Sequence, residues 1–356
     1  MDLREIFTPA AIAANWTEVA SNQIPYLGAT LFPARKKAGL DLSWIKGSRG
    51  LPVSLMPSSL DAKATFRDRI GFDKLETEMA FFREGFKIKE RDRQEMLRVQ
   101  ESTDPYAQEV IARIFDDARN LIDGANVVPE RMIMQLLFPV NGECGISIKA
   151  NGVDYTYDYD ADGSWKTSNY TALTTTALWT APETADPFAA FKTVKDAIRA
   201  KTGDELTVAI MNTYTFNLMA ATNAVKTRYL TTNGLSLGYL TDNEVKAIVE
   251  GTSGLQIAVY DKQYKDESGA VHSFVPNGYV CLIPAGALGE TWYGTTPEEA
   301  DLQGSSSAEV SIVNTGVAIT RTIQDHPVNI NTFASEIVLP SFERMDSVGV
   351  LKVVGE

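Results

Sequence analysis

AKATFRDRIGFDKLETEMAFFREGFKIKE, residues 62–90, alternates apolar and polar side chains along both limbs of what reads as a long hairpin. Ala64, Phe66 and Ile70 alternate with Thr65, Arg67 and Arg69, and on the return limb Phe82, Phe86 and Ile88 alternate with Arg83, Lys87 and Lys89. Period two puts one set of side chains on each face of a strand, so the ribbon has one apolar face. Limbs of roughly ten residues reach on the order of 30 Å at ~3.3 Å per residue. A two-stranded hairpin alone is marginal in water and needs a third surface over that face. No neighbouring segment of the chain obviously offers one, so the expected supplier is another copy of the same protein. That makes the chain an assembly subunit rather than a self-contained enzyme.

Downstream of the ribbon, helices and strands alternate. Asp104-Pro105 is a helix start, a capping Asp followed by Pro at the first helical position. Val110, Ile111, Ile114, Phe115, Ala118, Leu121 and Ile122 recur at helical spacing, and Gly124 is the expected stop. Pro129 either kinks one continuous helix or opens a second over Glu130–Phe138. GISIKA and DYTYDYD read as strands joined at Asn151-Gly152, a hairpin signal. Thr171–Pro187 reads as a connection. Asp186-Pro187 starts a helix with Phe191, Val194 and Ile198 in its stripe and Gly203 at its end. Leu206–Met211 is a buried strand, Tyr214–Ala224 is helical, and Glu244–Glu250 is a short helix capped by Thr241 or Asp242. Strands follow at Leu255–Tyr260, Gly278–Ile283, Ile337–Leu339 and Val348–Val354, so a mixed sheet with helices beside it is expected.

Composition narrows the function. With 356 residues and 44% hydrophobic content, the chain can bury one large or two moderate cores. A net charge of −13 argues against a phosphate-gripping surface, which needs clustered Lys and Arg. Two cysteines, Cys144 and Cys281, are no disulfide framework and point to a reducing compartment. The opening MDLREIFTPA lacks the apolar stretch of a secretory signal, and no apolar run approaches the ~20 residues of a membrane span. Residues 1–50 carry the basic patch Arg35-Lys36-Lys37 and scattered aromatics that need burial, which composition alone assigns to a subdomain packing on its own core.

Two motifs invite a chemical reading. Gly234-Leu235-Ser236-Leu237-Gly238 matches the nucleophile-elbow pattern of serine hydrolases, but Thr231-Thr232-Asn233 is a poor core strand and no helix cap follows before Thr241. Asp158–Gly163 matches the first half of a calcium loop, yet the twelfth position, where a bidentate Glu belongs, is Asn169. His272 and His326 have no partner at ligand spacing, and no nucleotide-binding loop is present. The sequence therefore implies no catalytic residue, cofactor or metal. A hydrolase using Ser236 is the alternative from a different class.

Three blocks, Leu40–Met96, Phe274–Leu302 and Ser335–Val353, are similar to the major capsid proteins of lambda-type tailed phages and occur in that family's order. The resemblance implies the α+β Johnson fold of tailed-phage and herpesvirus shells. By it, 1–50 would be an N-terminal arm, 51–90 the extended loop, 91–185 a peripheral domain with a spine helix, 186–325 an axial domain, and 326–356 closing strands of the peripheral domain. It implies hexamers and pentamers tiling an icosahedral head around DNA, in a virion assembled in bacterial cytoplasm. Scaffold, portal and decoration proteins would be the partners, with no membrane. A nanocompartment shell of the same fold is a structural alternative. Phe66, Phe82 and Phe86 are the expected apolar contacts of the extended loop with a neighbour, and Arg67, Arg69, Arg83 and Glu84 the polar ones.

Overall fold

The strand Asn329–Ser341 organises one half of the chain. A computed structural model describes residues 8, 10, 26–46, 73–88, 105–150, 152–233, 240–302, 308–324 and 329–355. It divides into two compact units, one of residues 1–43, 76–132 and 289–341, the other of 44–75, 133–288 and 342–356.

In the first unit, Asn329–Ser341 pairs antiparallel along one edge with Val317–Gln324 and then Glu290–Tyr293. Its other edge pairs with Ala80–Ile88, from Ile330 opposite Ile88 to Val338 opposite Ala80. The return limb thus finds its hydrogen-bonding partner within the chain, in a strand some 250 positions away and beyond the reach of local pattern, whereas Phe82 and Phe86 on its apolar face stay half-buried. The preceding strand Asp73–Glu78 pairs with Asp41–Lys46 rather than with the return limb. The outgoing limb, 62–72, lies outside the described residues.

The amino-terminal segment joins the same unit. Ala34–Lys36 runs parallel to Glu290–Tyr293 at the sheet edge. Phe32 is buried and its carbonyl accepts from Thr291 Oγ1 at 3.0 Å. The basic patch is neutralised locally, Arg35 by Glu290 at 3.0 Å and Lys36 by Glu299. Residues 26–37 thus make their contacts within the first unit.

Pro105–Leu137 is one helix of 33 residues, about 50 Å at 1.5 Å per residue. Gly124 does not stop it, and Pro129 lies inside it. The apolar positions resume beyond both, with Met132, Ile133, Met134, Leu136 and Leu137 all buried, and such tertiary burial outweighs local propensity. Buried Glu130 accepts the backbone N–H of Gly28 at 2.8 Å, tying this helix to the short helix Leu27–Leu31.

The second unit is a mixed five-stranded sheet flanked by helices. In order its strands are Tyr170–Ala172, Gly349–Lys352, Tyr279–Pro284, Leu206–Met211 and Gln256–Val259. The segment expected as a mere connection supplies the first of these, and the last strand of the chain lies here rather than beside Asn329–Ser341. Every residue of Tyr279–Pro284 is buried, as a central strand covered on both faces requires. Helix Pro187–Thr202 starts on Asp186, whose carboxylate accepts from the Phe188 and Ala189 amides, and stops at Gly203 with φ 79°. It buries Phe191, Val194 and Ile198. Trp179 meets Phe191 edge-on at 5.8 Å. The region Tyr214–Ala224 is two helices, Thr213–Ala221 and Asn223–Asn233. Asp242–Ser253 is longer than expected and opens with a capping box between Thr241 and Glu244. Gly145–Ala150 and Val153–Asp158 form the hairpin that Asn151-Gly152 signals.

Gly85 tests the strand pairing directly. A Cβ there would run into the Phe333 ring and the Thr332 carbonyl on the facing strand. Gly85→Ala is expected to lower unfolding stability by about 1–3 kcal/mol, with recovery in the Gly85→Ala, Phe333→Leu double variant. An unchanged denaturation midpoint in the single variant would contradict the pairing.

Candidate intersubunit surface

Of the seven loop residues singled out from sequence, four lie in the described strand Ala80–Ile88; Phe66, Arg67 and Arg69 fall outside the described residues. Strand alternation puts Phe82, Glu84 and Phe86 on one face and Phe81, Arg83 and Lys87 on the other. Phe82 and Phe86 are half-buried, whereas Arg83, Glu84 and Lys87 are exposed. Along the ladder Phe82 faces Glu336, Glu84 faces Ala334 and Phe86 faces Thr332. No strand among the described residues pairs with the outer edge of Ala80–Ile88. An unpaired edge of this length is a ready template for another chain.

Arg83 already has an ion-pair partner. Its guanidinium pairs with Glu298, whose side chain is 7% exposed, and stands 4.8 Å over the Phe81 ring. Hydrogen bonds to a charged group contribute about 1.5–3 kcal/mol, so this pair holds the loop strand to its own unit. A separation of 215 positions hides it from sequence reasoning. Glu84 and Phe86 carry no such tie and remain the loop side chains best placed for a neighbour.

Glu336, opposite Phe82, escaped notice in the sequence. It is 1% exposed, and neither carboxyl oxygen finds a hydrogen-bond partner among the described residues. Burial pushes its carboxyl well above the carboxylate range. Burial, and then Glu336, push the Tyr293 hydroxyl up. The available signal was period two: Glu336 shares a face with Ala334 and Val338, both buried.

The calcium-like loop is occupied by backbone. Asp158 accepts from the Asp160 amide at 2.9 Å, Asp162 from the Ser164 amide at 3.2 Å, and Asp160 from the Trp165 and Lys166 amides at 2.8 Å each. Asn169 faces inward and donates to the Asp346 and Val348 carbonyls. No described group of three or more His, Cys, Asp or Glu is arranged for a metal. Ser236 lies outside the described residues, but a helix, Asn223–Asn233, precedes it where a nucleophile elbow requires a strand. His272 bonds Asp266 at 2.8 Å, and Asp261 accepts from Thr213. His326 is outside the described residues. Cys144 and Cys281 are buried free thiols, and burial raises the Cys281 thiol. No described helix is long and apolar enough to cross a membrane.

The fold has clear relatives among solved structures. A putative prophage capsid protein from E. coli CFT073 superposes with TM-score 0.58 at 14% identity, covering 98% of this chain and 99% of that one. A phage-related protein from Bordetella bronchiseptica RB50 gives 0.56 at 12%, covering 96% and 97%. The cyanophage A-1(L) capsid subunit gives 0.53 at 11%, covering 93% of each. These likenesses define the fold class, the α+β Johnson fold. The chain belongs to the phage major capsid protein E family, whose model matches residues 8–352. No curated protein matches it. The protein's role is to form a capsid.

Two outcomes follow from these environments. Folded Glu336 holds its proton above its ordinary value of 4.5 while the unfolded chain releases it. Stability is therefore full below that pH and falls by about 1.4 kcal/mol per pH unit as pH rises toward the raised value. Glu336→Met should remove this slope in denaturant titrations across pH; an identical slope in both proteins would rule the assignment out. Asp160→Ala should cost about 1 kcal/mol through its lost hydrogen bonds to the Trp165 and Lys166 amides, and millimolar calcium should leave the parent melting temperature unchanged. A calcium-dependent rise abolished by Asp160→Ala would mean the loop binds the ion.

Proposed function

We propose that copies of this chain form hexamers and pentamers that tile an icosahedral phage head enclosing double-stranded DNA. The family match along nearly the whole chain carries this reading. Closed symmetry lets one modest interface be used many times. The subunit acts structurally rather than as an enzyme. It assembles in the host bacterial cytoplasm and resides in the virion, with scaffold, portal and decoration proteins as further partners. Its acidic balance, −13, suits a shell that surrounds DNA without gripping it.

Within that assembly, the sequence layout of arm, extended loop, peripheral domain, axial domain and closing strands is our reading of the chain. Residues of the 51–90 loop reach a neighbouring subunit, with Phe66, Phe82 and Phe86 as apolar contacts and Arg67, Arg69, Arg83 and Glu84 as polar ones. For Arg83 this means sharing a guanidinium already paired with Glu298. The half-exposed phenyl rings of Phe82 and Phe86 and the open edge of their strand support this part of the reading.

Because Ala80–Ile88 belongs to a sheet of its own unit, the informative deletion stops short of it. Removing residues 62–72 should leave a chain with parental circular dichroism and melting temperature that no longer closes into particles under negative-stain microscopy. Normal shells from that variant would refute the loop's role while leaving the family membership intact.

A further inference from the structure

Glu336 sits at a junction in the sheet of the first unit. Along one edge of Asn329–Ser341, pairing with Val317–Gln324 ends where Ser335 faces Ala318, and pairing with Glu290–Tyr293 begins where Val338 faces Tyr293. Glu336 and Ile337 fall between the two, so the ladder partner of Glu336 among the described strands is Phe82 of Ala80–Ile88. Val317 at this junction is buried, and Gly316 lies so close to the Tyr293 ring that a Cβ there would run into it. Phe82, in contrast, is half-buried.

We propose that Glu336 is a proton-operated latch for the loop strand: protonated, it lets Ala80–Ile88 lie along Asn329–Ser341, and once ionised it drives that strand off. The proton passes to water, and no other bond changes. An anion at 1% exposure, with neither oxygen bonded among the described residues, must gain water. Leaving it dry costs far more than the net gain from a few ladder hydrogen bonds. Of the three strands beside it, Val317–Gln324 and Glu290–Tyr293 are each paired on both edges, whereas no described strand pairs with the outer edge of Ala80–Ile88. The loop strand therefore opens at least cost. Other charges do not set the latch. The same face of the sheet carries Tyr293, Glu84 and Arg321, which pairs with Glu309 at 3.2 Å, while Arg83 and its partner Glu298 belong to the other face. Burial alone raises the Glu336 carboxyl, with no charged group of any described element contributing. Tyr293, pushed up by burial and then by Glu336, carries no charge at neutral pH. Glu336 keeps its proton below its raised value and loses it as pH climbs through that value, so the latch opens on the alkaline side. In the loop reading above, the freed strand carries Phe82, Glu84 and Phe86 toward a neighbour; that step alone rests on the shell reading.

Pulsed amide hydrogen exchange read by mass spectrometry on the full-length, unassembled chain tests the latch, from about pH 5 to about pH 9. Parent and Glu336→Gln are compared at each pH, which cancels the intrinsic pH dependence of exchange. At the acid end, residues 80–88 are expected to exchange equally slowly in both. At the alkaline end they should exchange faster in the parent, by about tenfold for each pH unit above the point where Glu336 ionises. Glu336→Gln should keep its protection, and Tyr279–Pro284 in the second unit should stay slow in both proteins. Glu336→Met gives the same comparison if the glutamine variant does not fold. Parental protection of 80–88 that never falls, or falls as far in both variants, would overturn the proposal. So would a fall shared equally by Val317–Gln324 and Tyr279–Pro284, since the whole chain would then be unfolding. None of these results would touch the shell reading, because no particle is involved.

Discussion

Backbone pairing between Ala80–Ile88 and Asn329–Ser341 is the constraint on which the first unit rests. It joins segments some 250 residues apart through a continuous ladder, and it makes Asn329–Ser341 an interior strand with partners on both edges. A contact of such long range carries a large loop-closure cost before any hydrogen bond forms, so it persists only where side-chain burial reinforces it. Ile337, Val338 and Leu339 supply that burial, and the pair Arg83–Glu298 clamps the loop strand from the side. The same ladder occupies one edge of Ala80–Ile88, and no strand among the described residues pairs with the other.

Buried charge is handled differently at three places, and the difference is instructive. Glu130 is satisfied by a backbone amide of the short helix beside it, which makes it a tether. Glu298 pairs with Arg83 through one of its oxygens, which makes it a clamp. Glu336 finds no partner among the described residues and keeps its proton to higher pH instead, because an isolated carboxylate away from water costs far more than a neutral acid. Each is a glutamate, and only its surroundings distinguish the roles.

Much of the second unit was legible from local sequence, because its signals are local. Asp186-Pro187 with Gly203, the capping box at Thr241 and the Asn151-Gly152 turn act within a few residues, and each element appears where its signal stands. Local signals misled where tertiary burial outweighed them. Gly124 costs the helix only about 1 kcal/mol, too little to end it when the buried run from Met132 to Leu137 lies ahead. The Asp158–Gly163 motif, likewise, owes its spacing to turn and cap hydrogen bonds, which favour Asp for the same reason that cation loops do.

The sequence by itself determined that Ala80–Ile88 is a strand with alternating side chains, that helices and strands mix, and that the chain resembles a capsid subunit in three blocks along its length. Period two, caps and turns are properties of neighbouring residues, so a linear reading reaches them. Only the tertiary structure decided that the return limb pairs with Asn329–Ser341 of the same chain, that Arg83 is spoken for by Glu298, and that Lys192, Lys195, Arg199 and Arg228 come together at one cleft. Those are meetings of residues distant along the chain, and nothing in one strand's alternation specifies which other strand will lie against it.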